Sequence, residues 1–410
     1  MLTPVGNALH SRLGCVILWD MQPYSLYLHI PFCRSRCTYC DFNTFARVEH
    51  LIPEYVAALR REIRYVAEAA GERLPVHTIF FGGGTPSLLK PGEYESILAD
   101  LKAGFEFLPG MEISLEANPG TVTLQSLTEL RRLGFNRISF GVQSFNPQDL
   151  TILGRIHSAN EAFNAVLWSR KAGFENLSLD LIFGLPGQSL TRWQSTLELA
   201  IQLRTEHLSI YSLILEEGTL INAWMQRGLL EPVDDDLAAD MYEWTEDRLE
   251  QAGFLQYEIS NWARNRSLQC RHNLQYWRME PCLGFGAGAH GYALGQRTAN
   301  TGWIGDYIQH MRQLDWLQFP FSPANASLIP LSRQDEMGEF MMVGLRLVDE
   351  GVSQAAFEQR FSQKLGDVFQ KPMEKLLRQG LLEWKQDDPD RLRLTRQGRI
   401  LGNRVFMEFV

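Results

Sequence analysis

Cys33, Cys37 and Cys40 fall in the segment Cys33-Arg34-Ser35-Arg36-Cys37-Thr38-Tyr39-Cys40, a C-x3-C-x2-C spacing that gathers three soft sulfur donors on one short loop. A cubane iron–sulfur cluster that only passes electrons normally has four cysteine ligands. Three leave one iron open to a ligand from outside the chain. The same spacing fits zinc, with His29 or Asp41 as a fourth ligand. The chain has 6 cysteines in 410 residues, and the other three, Cys15, Cys270 and Cys282, stand apart. That is too sparse for a disulfide-stapled secreted scaffold, and isolated cysteines read as small buried hydrophobes.

Such a loop needs a frame. It follows an apolar run at 24–30, the first of six strand-like segments, the others being 78–81, 112–117, 137–142, 176–182 and 207–215. Amphipathic stretches at 52–70, 124–133, 158–172 and 190–203 lie between them, and Gly71, Gly134 and Gly173 stand where helices would end. Strand followed by helix, repeated, predicts a parallel sheet. Chemistry-bearing residues recur where the strands finish: Gly82-Gly83-Gly84-Thr85, Glu116-Ala117-Asn118-Pro119, Gln143-Ser144, Asp180 and Tyr211-Ser212. A β/α barrel collects a site on one face in this way. The expected fold is therefore α/β: an incomplete, three-quarter, six-repeat TIM-like barrel. A doubly wound open sheet is the alternative, since it too places ligands at strand carboxyl ends.

The barrel is expected over residues 21–215. Residues 216–325 form an aromatic-rich extension with Trp224, Trp244, Trp262, Tyr276, Trp277, Trp303 and the glycine run from Gly284 to Gly291. It reads as an elaboration rather than another repeat. Residues 326–410 predict three helices and a hairpin near Asp387-Asp388-Pro389-Asp390, a small winged-helix-like module. Residues 1–20 read as a leader or a mis-assigned start, with Met21 as the initiator.

There are 39 basic and 48 acidic side chains, a formal charge of −9, which argues against nucleic acid or an anionic surface as the main partner. Residues 331–410 balance 13 basic against 13 acidic groups, so the electrostatic footprint of a DNA-binding winged helix is missing. The module reads as a structural or partner-binding lid. No apolar run approaches the roughly 20 residues that span a bilayer.

With Tyr39 ahead of Cys40, the cysteine loop resembles the C-x3-C-x-aromatic-C loop of radical S-adenosylmethionine (SAM) enzymes. Tyr27-Leu28-His29-Ile30-Pro31-Phe32 is similar to their oxygen-independent coproporphyrinogen oxidase branch. The likeness continues through Phe81-Gly82-Gly83-Gly84-Thr85-Pro86-Ser87, Glu116-Ala117-Asn118-Pro119, Gly141-Val142-Gln143-Ser144-Phe145, Gly154-Arg155 and Asp180-Leu181-Ile182-Phe183-Gly184-Leu185-Pro186, over most of the chain. It implies a 4Fe-4S cluster on Cys33, Cys37 and Cys40 whose open iron takes the amino and carboxylate groups of S-adenosyl-L-methionine. It further implies that Gly83 and Gly84 let backbone approach the methionine moiety and that Thr85 adds a hydroxyl. Glu116 would accept hydrogen bonds from the ribose or the ammonium, and Arg155 would pair with the carboxylate. Gln143 and Asp180 would bind polar edges of the nucleoside, while Tyr27 and Tyr39 supply aromatic surface. Judged singly, a glycine triplet marks a turn and Arg155 with Asp180 reads equally as a structural ion pair.

Coproporphyrinogen oxidases of this branch carry a fourth cysteine two positions after the third and a longer N-terminal extension. Here Phe42 stands at that place, and 32 residues precede Cys33. The chain is more similar to the heme chaperones of the branch, through His272-Asn273-Leu274-Gln275-Tyr276-Trp277. That H-N-x-x-Y-W motif offers an imidazole for heme iron and rings for a porphyrin plane, with Trp262 and Trp277 along the approach. His290 is a second candidate ligand. The plainer alternative has His272 and Asn273 capping a turn, with Tyr276 and Trp277 in the core. The expected function is heme binding and transfer to apo-hemoproteins in the cytoplasm, supported or gated by the cluster and SAM. Alternatives are an oxygen-independent coproporphyrinogen III dehydrogenase and a non-catalytic metal-binding scaffold. A homodimer and peripheral membrane contact fit this reading.

Overall fold

A computed structural model describes residues 22–313 and 317–410; the expectations for residues 1–20, Cys15 and Met21 lie outside them. Six strands, β1 (Tyr24–Ile30), β2 (Pro75–Gly83), β3 (Glu106–Ala117), β4 (Arg137–Gln143), β5 (Leu177–Phe183) and β6 (His207–Ser212), pair side by side in parallel and in chain order. Helices α1 (Ile52–Ala70), α2 (Pro91–Gly104), α3 (Leu124–Arg132), α4 (Ala159–Lys171) and α5 (Leu190–Gln202) make the crossovers. Among these six strands the order never reverses, so they contain no switch point and the doubly wound alternative falls away.

Local rules account for these elements. Proline sits in the first turn of α1, where a missing N–H costs nothing, and Gly71 ends the helix at φ 73°. Gly134 and Gly173 likewise have φ of 105° and 91°, as the sequence predicts for helix stops. α1 buries Tyr55, Val56, Leu59, Ile63 and Val66 on one face, each large aliphatic side chain contributing about 2 kcal/mol. Along β1, Leu26, Leu28 and Ile30 are buried in the same core, while Ser25, Tyr27 and His29 alternate with them and face the barrel interior.

The stretch after β6 builds onto both edges of this sheet. β7 (Leu255–Glu258) and β8 (Asn261–Ala263) continue it antiparallel beyond β6. On the other side β9 (Cys282–Phe285) lies parallel to β1, adding a seventh parallel strand that the six-repeat reading does not contain. β10 (His290–Ala293), β11 (Gln296–Asn300) and β12 (Asn325–Pro330) follow antiparallel. The order is β12-β11-β10-β9-β1-β2-β3-β4-β5-β6-β8-β7 with its ends unpaired, so the barrel is open. β9 is a four-residue strand beside a glycine run, too short for periodicity to register.

Among the helices that follow the barrel strands are α6 (Asp235–Gln251) and the short α7 (Arg271–Trp277). Beyond residue 331 come α8 (Arg333–Gly344), α9 (Gln354–Phe361) and α10 (Leu365–Arg378), with a small sheet of β13 (Val352–Ser353), β14 (Leu382–Lys385) and β15 (Asp388–Leu394) in the order β13-β15-β14. This winged-helix-like arrangement has its own core, including Met341, Phe357, Phe361, Leu376 and Leu392. No helix among the described residues is long and apolar enough to cross a membrane.

Candidate functional site

The cysteine loop leaves the carboxyl end of β1 and is pinned at three places. Phe32–Cys33 pairs with Phe45–Ala46 as a two-residue ladder, and Phe45 N–H donates to the Pro31 carbonyl at 2.7 Å. At its middle, Thr38 N–H and hydroxyl donate to the carbonyls of Leu153 and Ile152 at 3.1 and 2.7 Å. At its far side, Asn43 Nδ2 donates to the carbonyls of Ala287 and Gly302 at 3.0 and 2.9 Å. The three thiols are half-buried and free. Burial pushes the Cys33 thiol up, while Thr85 Oγ1 donates to its sulfur at 3.5 Å and opposes that shift. Arg155 Nη1 donates to Cys37 Sγ at 3.2 Å. Donors aimed at sulfur favour the thiolate that a metal requires.

Among the described residues no three His, Cys, Asp or Glu side chains are gathered closely enough to hold a single ion. The zinc alternative also loses its fourth ligand. His29 Nε2 donates to the Asn43 carbonyl at 2.9 Å and its Nδ1 accepts from Tyr27 OH at 2.9 Å, which occupies both ring nitrogens. Asp41 and Phe42 point to solvent, Phe42 being 62% exposed.

Inside the barrel, the buried stretches of these strands each open at one or two positions. In β1 it is Tyr27, in β3 Glu116, in β4 Gly141 and Gln143, in β5 Asp180. Neighbouring strands thus bring four of the expected site residues onto one accessible lumen. Glu116 Oε2 accepts from Gly83 N–H at 3.0 Å; burial and the nearby Asp180 raise its pKa to about 7. Asp180 accepts from Ser139 Oγ at 2.7 Å, and burial raises its pKa too. Gln143 adopts φ 65°, a strained backbone for a residue with a side chain, which turns the end of β4 at the lumen. Arg155 donates to Cys37 and to the Gly141 carbonyl and makes no ion pair with Asp180, so the structural-pair reading does not hold. Tyr39 packs against the small apolar cluster that includes Leu153, Ile182 and Leu213.

The glycines are required by the chain itself. A Cβ on Gly84 would sit 2.7 Å from the Phe32 carbonyl oxygen and 2.9 Å from that of Ile30, and one on Gly83, at φ 110°, would meet the His29 ring at 2.5 Å. The close approach they permit is first of all between β2 and the root of the cysteine loop.

The H-N-x-x-Y-W segment forms α7, which lies across the amino ends of the parallel strands, opposite the cysteine loop. Arg271 Nη2 donates to the His77 carbonyl at 2.8 Å, and Gln275 Nε2 donates to the carbonyls of Pro23 and Pro281 at 3.2 and 2.6 Å. Glu112 accepts from the backbone N–H groups of Arg271 and His272 at 3.2 and 3.4 Å, capping the helix from inside the barrel. His272 is 1% exposed, with its ring stacked on Phe80 at 4.9 Å and its Nδ1 bonded to Thr78 Oγ1 at 2.8 Å. Its Nε2 is enclosed and has no hydrogen-bond partner. Burial pushes its pKa down to about 3, so the imidazole is neutral near pH 7. Trp262 belongs to the core beside Tyr242, which corrects its expected place on a ligand approach. Trp277 lies under Arg346, 4.6 Å from its ring centre. His290 is exposed, whereas Cys270 and Cys282 are buried, with thiol pKa values pushed up to about 12.

Attention to strand ends finds Glu116, Gln143 and Tyr211 but misses the lumen residues below them on the same strands, Arg137, Ser139, Glu112, Ser114, His207 and Ser209. Arg137, Ser139 and Gly141 alternate along β4 up to the irregularity at Gln143; Glu112, Ser114 and Glu116 alternate along β3; His207, Ser209 and Tyr211 along β6. Period-two polarity within strands that are apolar on the other face is the signal that finds them.

The sequence profile of the radical SAM superfamily matches residues 27–200, and that of the HemN C-terminal domain matches residues 331–401. The chain is 36% identical over 387 residues to the heme chaperone HemW of Bacillus subtilis, covering 94% of this chain and 99% of that one. It is 41% identical over 317 residues to the heme chaperone HemW of Escherichia coli, covering 73% and 81%. The mitochondrial radical S-adenosyl methionine domain-containing protein 1 of Mus musculus is 37% identical over 370 residues, covering 87% and 81%. Among solved structures, coproporphyrinogen III oxidase (HemN) from Escherichia coli superimposes with a TM-score of 0.80 at 25% identity, covering 95% of this chain and 91% of that one.

Proposed function

We propose, for a chain that belongs to the radical SAM superfamily and within it to the HemW family, that it binds heme and transfers it to apo-hemoproteins in the cytoplasm. The cluster and SAM of the superfamily support or gate that transfer. The observation that carries this reading is His272: a neutral imidazole in the barrel interior whose Nε2 has no partner, on the motif typical of the heme chaperones. Thr78 holds its Nδ1, which fixes the ring and leaves Nε2 as the nitrogen that would take an iron. With His272 1% exposed, iron reaches it only when α7 shifts.

At the opposite end Cys33, Cys37 and Cys40 would hold the cluster, and the half-buried thiols with donors from Thr85 and Arg155 suit it. A bound, reduced cluster would supply an electron to the sulfonium of SAM. Glu116, Gln143 and Asp180 present acceptors for the amine and nucleoside; Tyr27 and Tyr39 supply flat apolar surface; the Gly83 N–H fixes Glu116. Phe42, at the place of a fourth cysteine, weighs against decarboxylation of coproporphyrinogen. The likeness to the solved oxidase keeps that as the second reading.

Heme titration of anaerobically reconstituted protein, with and without SAM, tests the proposal beside an assay with coproporphyrinogen III. Heme binding without turnover is the expected result, and robust protoporphyrinogen formation would remove the chaperone reading. His272→Ala should weaken heme binding while the iron–sulfur spectrum stays intact; an unchanged heme affinity would move the ligand elsewhere.

A further inference from the structure

Arg137 opens β4 on the lumen side, opposite Ser114 of β3 and hence between Glu112 and Glu116, and it is 2% exposed. Among the described residues its guanidinium makes neither a hydrogen bond nor an ion pair, and Nε is fully enclosed without a partner. The carboxylates around it are committed elsewhere. Glu112 accepts from Ser114, Arg271 and His272, Asp180 from Ser139, and Glu116 from Gly83. Burial works against its charge while Cys270, Glu112, Tyr257 and Asp180 favour it, and that charge in turn depresses the pKa of His272. Arg137 therefore stands at the amino end of β4, between the Glu116–Asp180 level and the motif helix. A buried cation with an unfilled planar fork is costly to keep, and that fork matches a carboxylate. Arg155, the guanidinium nearest the cysteines, already donates to the Cys37 sulfur and the Gly141 carbonyl.

We propose that Arg137 is a carboxylate-binding residue, its guanidinium taking the carboxylate of a ligand that enters the lumen. Two sources share that chemistry, the methionine carboxylate of SAM and a propionate of the porphyrin. The proposal rests on the lumen being the ligand chamber of the function proposed above.

The test uses anaerobically reconstituted wild-type protein, Arg137→Gln and Arg137→Lys. Equilibrium binding is measured for SAM against decarboxylated SAM, and for heme against heme dimethyl ester. For each pair the readout is the affinity ratio of the acid to its carboxylate-free analogue. Because both ligands meet the same folded variant, a general loss of stability does not move that ratio. Wild-type protein should prefer one acid by roughly 10- to 100-fold, as expected for a charge-assisted hydrogen-bonded pair. Arg137→Gln should bring that ratio close to one and leave the other pair's ratio unchanged. Arg137→Lys, which keeps the charge without the fork, should fall between, and it decides the matter if the glutamine variant does not fold. Wild-type ratios retained in the variants, or no preference in wild-type protein, would overturn the proposal. If wild-type protein binds no heme yet discriminates SAM from decarboxylated SAM, the heme reading fails while the SAM pair still decides Arg137.

Discussion

Glu116 is the side chain whose chemistry the barrel alters most. Burial and the facing Asp180 hold its pKa near 7, against one N–H bond from Gly83. The folded chain therefore keeps a proton that the unfolded chain has already released above the ordinary carboxyl range. This contribution to stability is complete below that range and is lost as pH rises through about 7. Ligand binding should run the other way, because the ionised carboxylate is the better acceptor for the ammonium of SAM. Affinity should rise between pH 6 and pH 8 by no more than about tenfold per pH unit, and Glu116→Gln should flatten the profile. Equilibrium binding across that range checks it; a flat wild-type profile would place the ammonium elsewhere. Cysteine substitution is simpler: Cys33→Ser, Cys37→Ser or Cys40→Ser should each abolish cluster assembly, read as iron content after anaerobic reconstitution.

Among the elements, β2 and α7 act as the two fixed ends of the lumen. Gly84 N–H donates to the Ile30 carbonyl at 2.9 Å and Thr85 N–H to that of Phe32 at 2.8 Å, stitching the end of β2 to the root of the cysteine loop. Gly84→Ala would drive a methyl into those carbonyls, so iron incorporation should fall sharply while far-ultraviolet circular dichroism is retained. Full iron content in that variant would show that the loop tolerates displacement. At the other end Glu112 satisfies the first N–H groups of α7. Glu112→Ala leaves them unpaired inside the barrel and should cost about 1–3 kcal/mol, measured by urea unfolding. A helix of seven residues has little stability of its own, so it depends on this cap and on the packing of Leu274 with Tyr257, Ala263 and Leu347.

Over the whole molecule, the C-terminal module holds the outer side of that helix. Arg346 stacks over Trp277 and Phe406, Arg278 pairs with Glu350 at 2.7 Å, and Arg360 donates to the Met279 carbonyl at 2.9 Å. The lid expected from the sequence thus packs on the motif helix at the amino end of the barrel, away from the cysteine loop. Arg346→Ala should remove about 1–2 kcal/mol of packing and cation–π attraction and expose α7. Faster proteolytic cleavage between residues 264 and 281, mapped by mass spectrometry, would show it; an unchanged cleavage pattern would mean that the barrel alone holds the helix.

The sequence by itself determined the parallel repeat, most helix ends and the cysteine loop, because these follow from periodicity, glycine placement and spacing within one segment. It also carried the alternation that puts Glu116, Gln143 and Asp180 on one inner face, since a strand's two faces are written in its own residues. Tertiary structure alone decided partnership. That His272 is bonded through Nδ1 and bare at Nε2 depends on Thr78, 194 residues away; that Arg155 is spent on Cys37 depends on a residue 118 positions earlier. β9 became a barrel strand because the edge of β1 was open to it, which four residues cannot announce. Whether a polar group is satisfied or waiting for a ligand is a property of its neighbours in space, and those neighbours are chosen only when the open sheet packs with its helices around them.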